Sequence, residues 1–138
     1  MPLELTIVTP ERQVFAGPVA NVVLPGSEGD FGVLEHHERF LAPLRIGEAR
    51  IEQDGRVRYA AVTDGFAEVT GERVVVLVDA CELAEDIDAA RAERARERAE
   101  RQIHEVKNGS GEVRSLQLYE AALQRAIIRI QVAGKRGA

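Results

Sequence analysis

The sequence predicts a β + α protein. An N-terminal antiparallel β-sandwich of about ten strands precedes a C-terminal antiparallel two-helix hairpin. Three observations carry this expectation. Up to Ala84, short runs with apolar residues at alternate positions are separated by Gly, Pro and Asp turn signals. From Asp86 onward the period lengthens, and apolar residues recur every three or four positions. A single breaker, KNGSGE, splits that second region into two helical stretches. The expected division is 1–84 for the β-domain and 85–138 for the hairpin.

The first run, LELTIVT, places Leu3, Leu5 and Ile7 on one side. Strand-like runs continue through RQVFA, ANVVL, FGVL, FLAPL, EARIEQ, RVRYAAV, FAEVT and RVVVLVDA. Pro10, Gly17-Pro18, Pro25-Gly26, Gly47, Asp54-Gly55, Asp64-Gly65 and Gly71 read as the turns between them. Asp54-Gly55 is the strongest hairpin signal, because a type I′ turn needs positive φ at both central residues. Aromatics make up only 4% and Trp is absent, so Val, Ile, Leu and Ala must build the core. The one cysteine, Cys81, has no internal disulfide partner, which suits a reducing compartment. It reads as a small buried residue at a strand end.

The first helical stretch, DIDAARAERARERAERQIHEV, has no Gly or Pro and is rich in strong helix formers. Asp86 or Asp88 supplies an acidic start that complements the helix dipole. Gly109 and Gly111 break the helix. The second stretch, VRSLQLYEAALQRAIIRIQVA, runs to Gly134, a residue type suited to the position after a helix. The tail KRGA is expected to fray. Ala92, Ala95, Ala99, Ile103 and Val106 form one seam, and Leu116, Tyr119, Leu123, Ala126, Ile130 and Ala133 form its counterpart. Alanine lets the helices approach closely but buries little area. At about 25 cal/mol per Å2 such an interface is thin, and the hairpin is expected to be able to detach.

Charge sets limits on function. A net charge of −5 and a pI near 5.3 argue against a nucleic-acid binder. The opening MPLELTIVTPE lacks the basic and apolar regions of a signal peptide. Apolar runs such as Val74 to Val78 are too short to span a bilayer, so any membrane association is expected through partners. Through Ala84 there are 7 basic and 14 acidic residues, and beyond it 11 and 9, so an acidic β-domain carries an arginine-dense hairpin.

The stretch Leu24 to Glu38, LPGSEGDFGVLEHHE, imitates several motifs and completes none. Asp30-Phe31-Gly32 lacks every other kinase element. The spaced glycines are followed by no Lys-Ser/Thr pair, so they mark bulges and corners. His36 and His37 are adjacent, so on a strand they point to opposite faces, and no third ligand lies nearby. His104 has no partner four residues on. Ser27 sits in no nucleophile elbow. No metal site and no catalytic residue is expected; the chain reads as a binding or regulatory module.

One constellation stands out. Asp88 and Arg91 share a helix face, Arg98 lies seven residues beyond Arg91, and Arg125 and Arg129 share a face of the second helix. A closed hairpin would bring the four arginines together, and arginines without enough carboxylates need an anion such as a nucleoside triphosphate. The competing reading pairs them with Glu93, Glu97 and Glu120 on their own helices.

VVLPGSEGDFGVL, then FLAPLRIG and VTDGFAEV, resemble the β-domain pattern of the epsilon subunit of F-type proton-translocating ATP synthases. IDAARA resembles the motif that opens that family's C-terminal helices, and the likeness covers nearly the whole chain. It implies a central-stalk subunit without catalysis of its own, peripheral on the cytoplasmic face of a bacterial membrane. It implies a sandwich that docks on the gamma subunit and the c-subunit ring. It also implies a hairpin that lies folded or extends toward the alpha/beta catalytic head and restrains ATP hydrolysis. No cofactor is required; ATP is implied as a regulatory ligand that holds the hairpin down. Glu82, Ile87, Asp88, Arg91 and Arg98 fall on the positions of the nucleotide-binding pattern, and Arg125 and Arg129 on its second-helix arginines. The arginines would take the phosphates, and Glu82, Ile87 and Asp88 the base and ribose side. Asp30 falls on a ring-contact position, with Glu28 beside it. His37 matches a family histidine, but Glu35-His36 stands where many members have Pro-Gly. The alternative is a free-standing ATP-sensing module.

Overall fold

A computed structural model describes residues 3–34 and 38–136. Ten strands come first: β1 (Leu3–Val8), β2 (Gln13–Val19), β3 (Asn21–Gly26), β4 (Gly29–Leu34), β5 (Phe40–Leu44), β6 (Gly47–Gln53), β7 (Arg56–Val62), β8 (Gly65–Val69), β9 (Arg73–Val78) and β10 (Cys81–Leu83). A 3-10 turn, Ala84–Asp86, leads into α1 (Ala89–Lys107). A second 3-10 turn, Val113–Ser115, leads into α2 (Leu116–Ala133).

The strands form two packed layers. One runs β10-β7-β6-β3, with β4 also on β3; the other runs β5-β8-β9-β1-β2. They are joined at a corner where Gly26 of β3 faces Leu44 of β5. Ser27 donates its amide to the Pro43 carbonyl and Arg45 to that of Pro25, both at 2.9 Å. A side chain at Gly26 would meet the Gly29 carbonyl oxygen at 2.6 Å, so the corner requires glycine. Between the layers lies a core of Leu3, Leu5, Ile7, Val22, Leu24, Ile51, Val74 and Val76, all fully buried. Alternation along each strand is what puts them there.

Asp54 and Gly55 both take positive φ, 53° and 75°, and close β6 onto β7 as their sequence requires. Gly17-Pro18, expected as a turn, instead lies inside β2. Among the described residues β2 pairs only with β1, and an edge strand tolerates a missing N–H. All strand pairs are antiparallel except β1 with β9, which run parallel.

Cys81 is 5% exposed and belongs to the core. Burial first, then the neighbouring Glu82 carboxylate, pushes its thiol up to about 12, with Arg12 acting weakly against them. The folded chain therefore holds a proton that the unfolded chain releases. This contribution to stability is complete below the ordinary thiol pKa and is lost as pH rises toward 12. The urea midpoint is expected to fall more steeply between about pH 9 and 11 in the parent chain than in Cys81→Ala. Parallel slopes would contradict the assignment.

In the hairpin, Asp88 rather than Asp86 caps α1, its carboxylate accepting the Arg91 amide at 3.0 Å. Gly109, at φ 78°, ends that helix. Ala92 and Ala99 of α1 and Ala126 of α2 are buried between the helices, and α2 rests on β7 and β6. Ile128, Val132 and Ala133 seat α2 against Ala61, Ala84, Ile87 and Tyr59. Of these, Ile128 and Val132 lie off the expected seam, while Ala133 belongs to it. The expected fraying does not hold for Lys135 and Arg136. Gly134 keeps a helical φ of −67°, and both side chains then bond to the β-domain.

Across β5, β8 and β9, Pro43, Phe66 and Leu77 lie in register and exposed, with Leu41 beside them. No helix among the described residues is long and apolar enough to cross a membrane.

Candidate functional site

Where the hairpin lies on the sandwich, a cleft of about 490 Å3 opens. Ala61, Val62 and Thr63 at the end of β7, with Ala80, Cys81 and Glu82, form its floor. Arg91, Ala95 and Arg98 of α1 and Ala122, Arg125 and Arg129 of α2 form its roof. The helical period sets this roof: seven residues on α1 and four on α2 return each arginine pair to one face. The antiparallel alanine seam then lays the two faces side by side. The volume falls within the range of small-ligand sites, roughly 300–1,000 Å3.

The four arginines differ in what holds them. Arg129 is held by Glu82 of β10, Nε donating to Oε1 at 2.6 Å and Nη2 to Oε2 at 3.3 Å. This pair crosses from the sandwich to α2, with the two side chains 33% and 23% exposed. Arg91, Arg98 and Arg125 form no ion pair or side-chain hydrogen bond among the described residues. The intrahelical pairing expected as the alternative goes elsewhere: Glu93 and Glu100 both bind Arg96, which lies outside the cleft. Three uncompensated guanidiniums thus face one small cavity beside a fourth that is already oriented. Such an arrangement can accept an anion with several oxygens by forked, charge-assisted hydrogen bonds.

Five of the seven residues assigned to a nucleotide therefore line one cleft: Glu82, Arg91, Arg98, Arg125 and Arg129. Ile87 and Asp88 do not. Ile87 is buried beneath the end of α2 because its apolar side chain packs on Val132 and Ala133, and Asp88 is engaged as the cap of α1.

The ring-contact candidates sit at the corner of the sandwich. Glu28 is exposed in the turn between β3 and β4. Asp30, second in β4, pairs with Arg45 at 2.5 Å, a partner that the sequence reading missed. The β3–β5 corner, with Gly26 facing Leu44 and Arg45 bonded to Pro25, brings that arginine near, and no local pattern announces it. The reading also missed Glu48, Lys135 and Arg136. His36 and His37 lie outside the described residues. Among those described, no group of three or more His, Cys, Asp or Glu could hold a metal ion.

Comparison with known proteins is consistent from residue 2 to residue 134. Residues 2–84 match the family described as ATP synthase, Delta/Epsilon chain, beta-sandwich domain. Residues 85–134 match ATP synthase, Delta/Epsilon chain, long alpha-helix domain. The chain is 46% identical over 133 residues to the ATP synthase epsilon chain of Syntrophobacter fumaroxidans, covering 96% of each. It is 45% identical to that of Symbiobacterium thermophilum, covering 96% of this chain and 93% of the relative. Its fold matches a chain in the Euglena gracilis mitochondrial ATP synthase, with TM-score 0.79, 24% identity and coverage of 96% and 81%.

Proposed function

Because the chain belongs to the ATP synthase delta/epsilon family, we propose that it is a central-stalk subunit of a bacterial F-type, proton-translocating ATP synthase, with a hairpin set by ATP. The subunit is non-catalytic and lies at the cytoplasmic face of the membrane, held there by its partners. The sandwich docks on the gamma subunit through the exposed row of Leu41, Pro43, Phe66 and Leu77. Its corner, with Glu28 and Asp30, meets the c-subunit ring. In the folded state the hairpin lies on the sandwich; extended, it reaches the alpha/beta head and restrains ATP hydrolysis.

The observation that carries the nucleotide reading is the convergence of Arg91, Arg98, Arg125 and Arg129 over one cleft, three of them uncompensated. Phosphates bound there bridge α1 and α2. The Glu82–Arg129 pair ties the same roof to β10. Ligand occupancy therefore stabilises the folded arrangement over any that parts the helices.

Capture on immobilised gamma tests the stalk assignment. The parent chain is expected to bind, and Phe66→Glu to bind at least about tenfold more weakly, because a buried charge is left unpaired. No capture of the parent would sink the stalk reading. ATP binding that persisted in that case would leave a free-standing nucleotide-sensing module.

A further inference from the structure

We propose that the turn following α2, Gly134 to Arg136, is a second latch on the hairpin, separate from the arginine cleft, which fastens the pivot of α1. The proposal rests on the reading above that the hairpin moves.

It consists of two basic residues, Lys135 and Arg136, set beside a separate apolar seat. Lys135 Nζ donates to Glu48 Oε1 of β6 at 2.6 Å and stands 4.7 Å over the Tyr59 ring of β7. Arg136 Nε donates to the Ala84 carbonyl at 3.3 Å, and its Nη2 donates to the Ile87 carbonyl. Those two carbonyls bracket the 3-10 turn through which the sandwich hands the chain to α1. The side chains of the same two residues, Ala84 and Ile87, receive Val132 and Ala133.

The connection has a mechanical meaning. A hairpin that swings as a unit must rotate about residues 84 to 88, the only chain between β10 and α1. Arg136 joins both ends of that link to the far end of α2. The first helix therefore cannot pivot until the turn after the second has let go. None of Glu48, Tyr59, Lys135 or Arg136 lines the arginine cleft, so nucleotide and latch act on the folded state independently. Lys135 and Glu48 are 42% and 27% exposed, so salt weakens this part of the latch.

The test uses the full chain with Cys81→Ala and spin labels at Leu118→Cys on α2 and Glu72→Cys on the sandwich, both exposed. Pulsed electron resonance reads closed and open hairpins as two label distances. Lys135→Ala/Arg136→Ala is expected to raise the open-to-closed ratio about tenfold. ATP should lower that ratio by the same factor in parent and variant. Adding 0.5 M salt should raise it in the parent more than in the variant. Val132→Glu, which breaks the apolar seat, serves as the opening control. If Val132→Glu opens and the double variant matches the parent, the latch is overturned and the mobile hairpin stands. If every variant stays closed, the mobile hairpin fails and takes the latch with it.

Discussion

Arg98→Ala is expected to weaken ATP binding to the isolated chain by about ten- to a hundredfold in a calorimetric titration, the effect of losing a hydrogen bond to a charged group. Arg98 pairs with no carboxylate among the described residues, so its removal subtracts from the ligand alone. Arg91→Ala and Arg125→Ala should behave alike and favour the open hairpin. Arg129→Ala differs because it also strands Glu82, whose carboxylate then faces the cleft without its partner. Arg96→Ala is the internal control. Arg96 is as cationic as the others, but it sits outside the cleft between Glu93 and Glu100. Loss in the cleft variants with an unaltered Arg96→Ala would identify position, not net charge, as the cause. Unchanged affinity in Arg91→Ala and Arg125→Ala would remove both from the site. Absence of binding by the parent at millimolar ATP would reassign the cluster to partner contacts.

The second large effect concerns the fold. Gly65→Ala is expected to cost about 3 kcal/mol and to lower Tm by on the order of 10 °C. Gly65 opens β8 directly against β9. A Cβ there would stand 2.1 Å from the Leu77 carbonyl oxygen and 2.8 Å from the Val78 Cα. Both are backbone atoms of a paired strand, so relief requires the β8–β9 ladder to part. Gly55→Ala provides the comparison. Its φ of 75° strains an L-residue, but nothing lies within 4 Å of the added carbon. Its cost should be nearer 1 kcal/mol. Thermal denaturation of both variants checks the ranking, and equal shifts would mean that the close approach at Gly65 is absorbed without loss.

What the sequence disclosed and what it withheld divide along physical lines. Alternation in LELTIVT announces its own buried face, since Leu3, Leu5 and Ile7 need only the strand's period of two. Asp54-Gly55 states its turn because the required backbone conformation favours few residue types. Gly17-Pro18 misleads because its tolerance depends on β2 being an edge, a fact of topology. The arginine stripes of α1 and α2 are local and legible. Their convergence needs the alanine seam to fix how the helices face, and that seam is legible as well. Glu82 with Arg129, and Lys135 with Glu48, join residues 47 and 87 positions apart, and no pattern of short range encodes them. The second face of α2 left a trace in Ile128 and Val132, four apart and off the main seam.

The alanine seam also bears on solubility. Were α1 to part from α2, it would uncover the methyl groups of Ala92, Ala95 and Ala99, with Ile103 and Val106 nearer its end, flanked by arginines and glutamates. Large exposed apolar patches promote aggregation, and this helix would present only a narrow strip, mostly of alanine. An extended α1 would therefore be a charged rod with little to drive its association. A leucine seam would have bound the pair more firmly and left a sticky helix each time they parted.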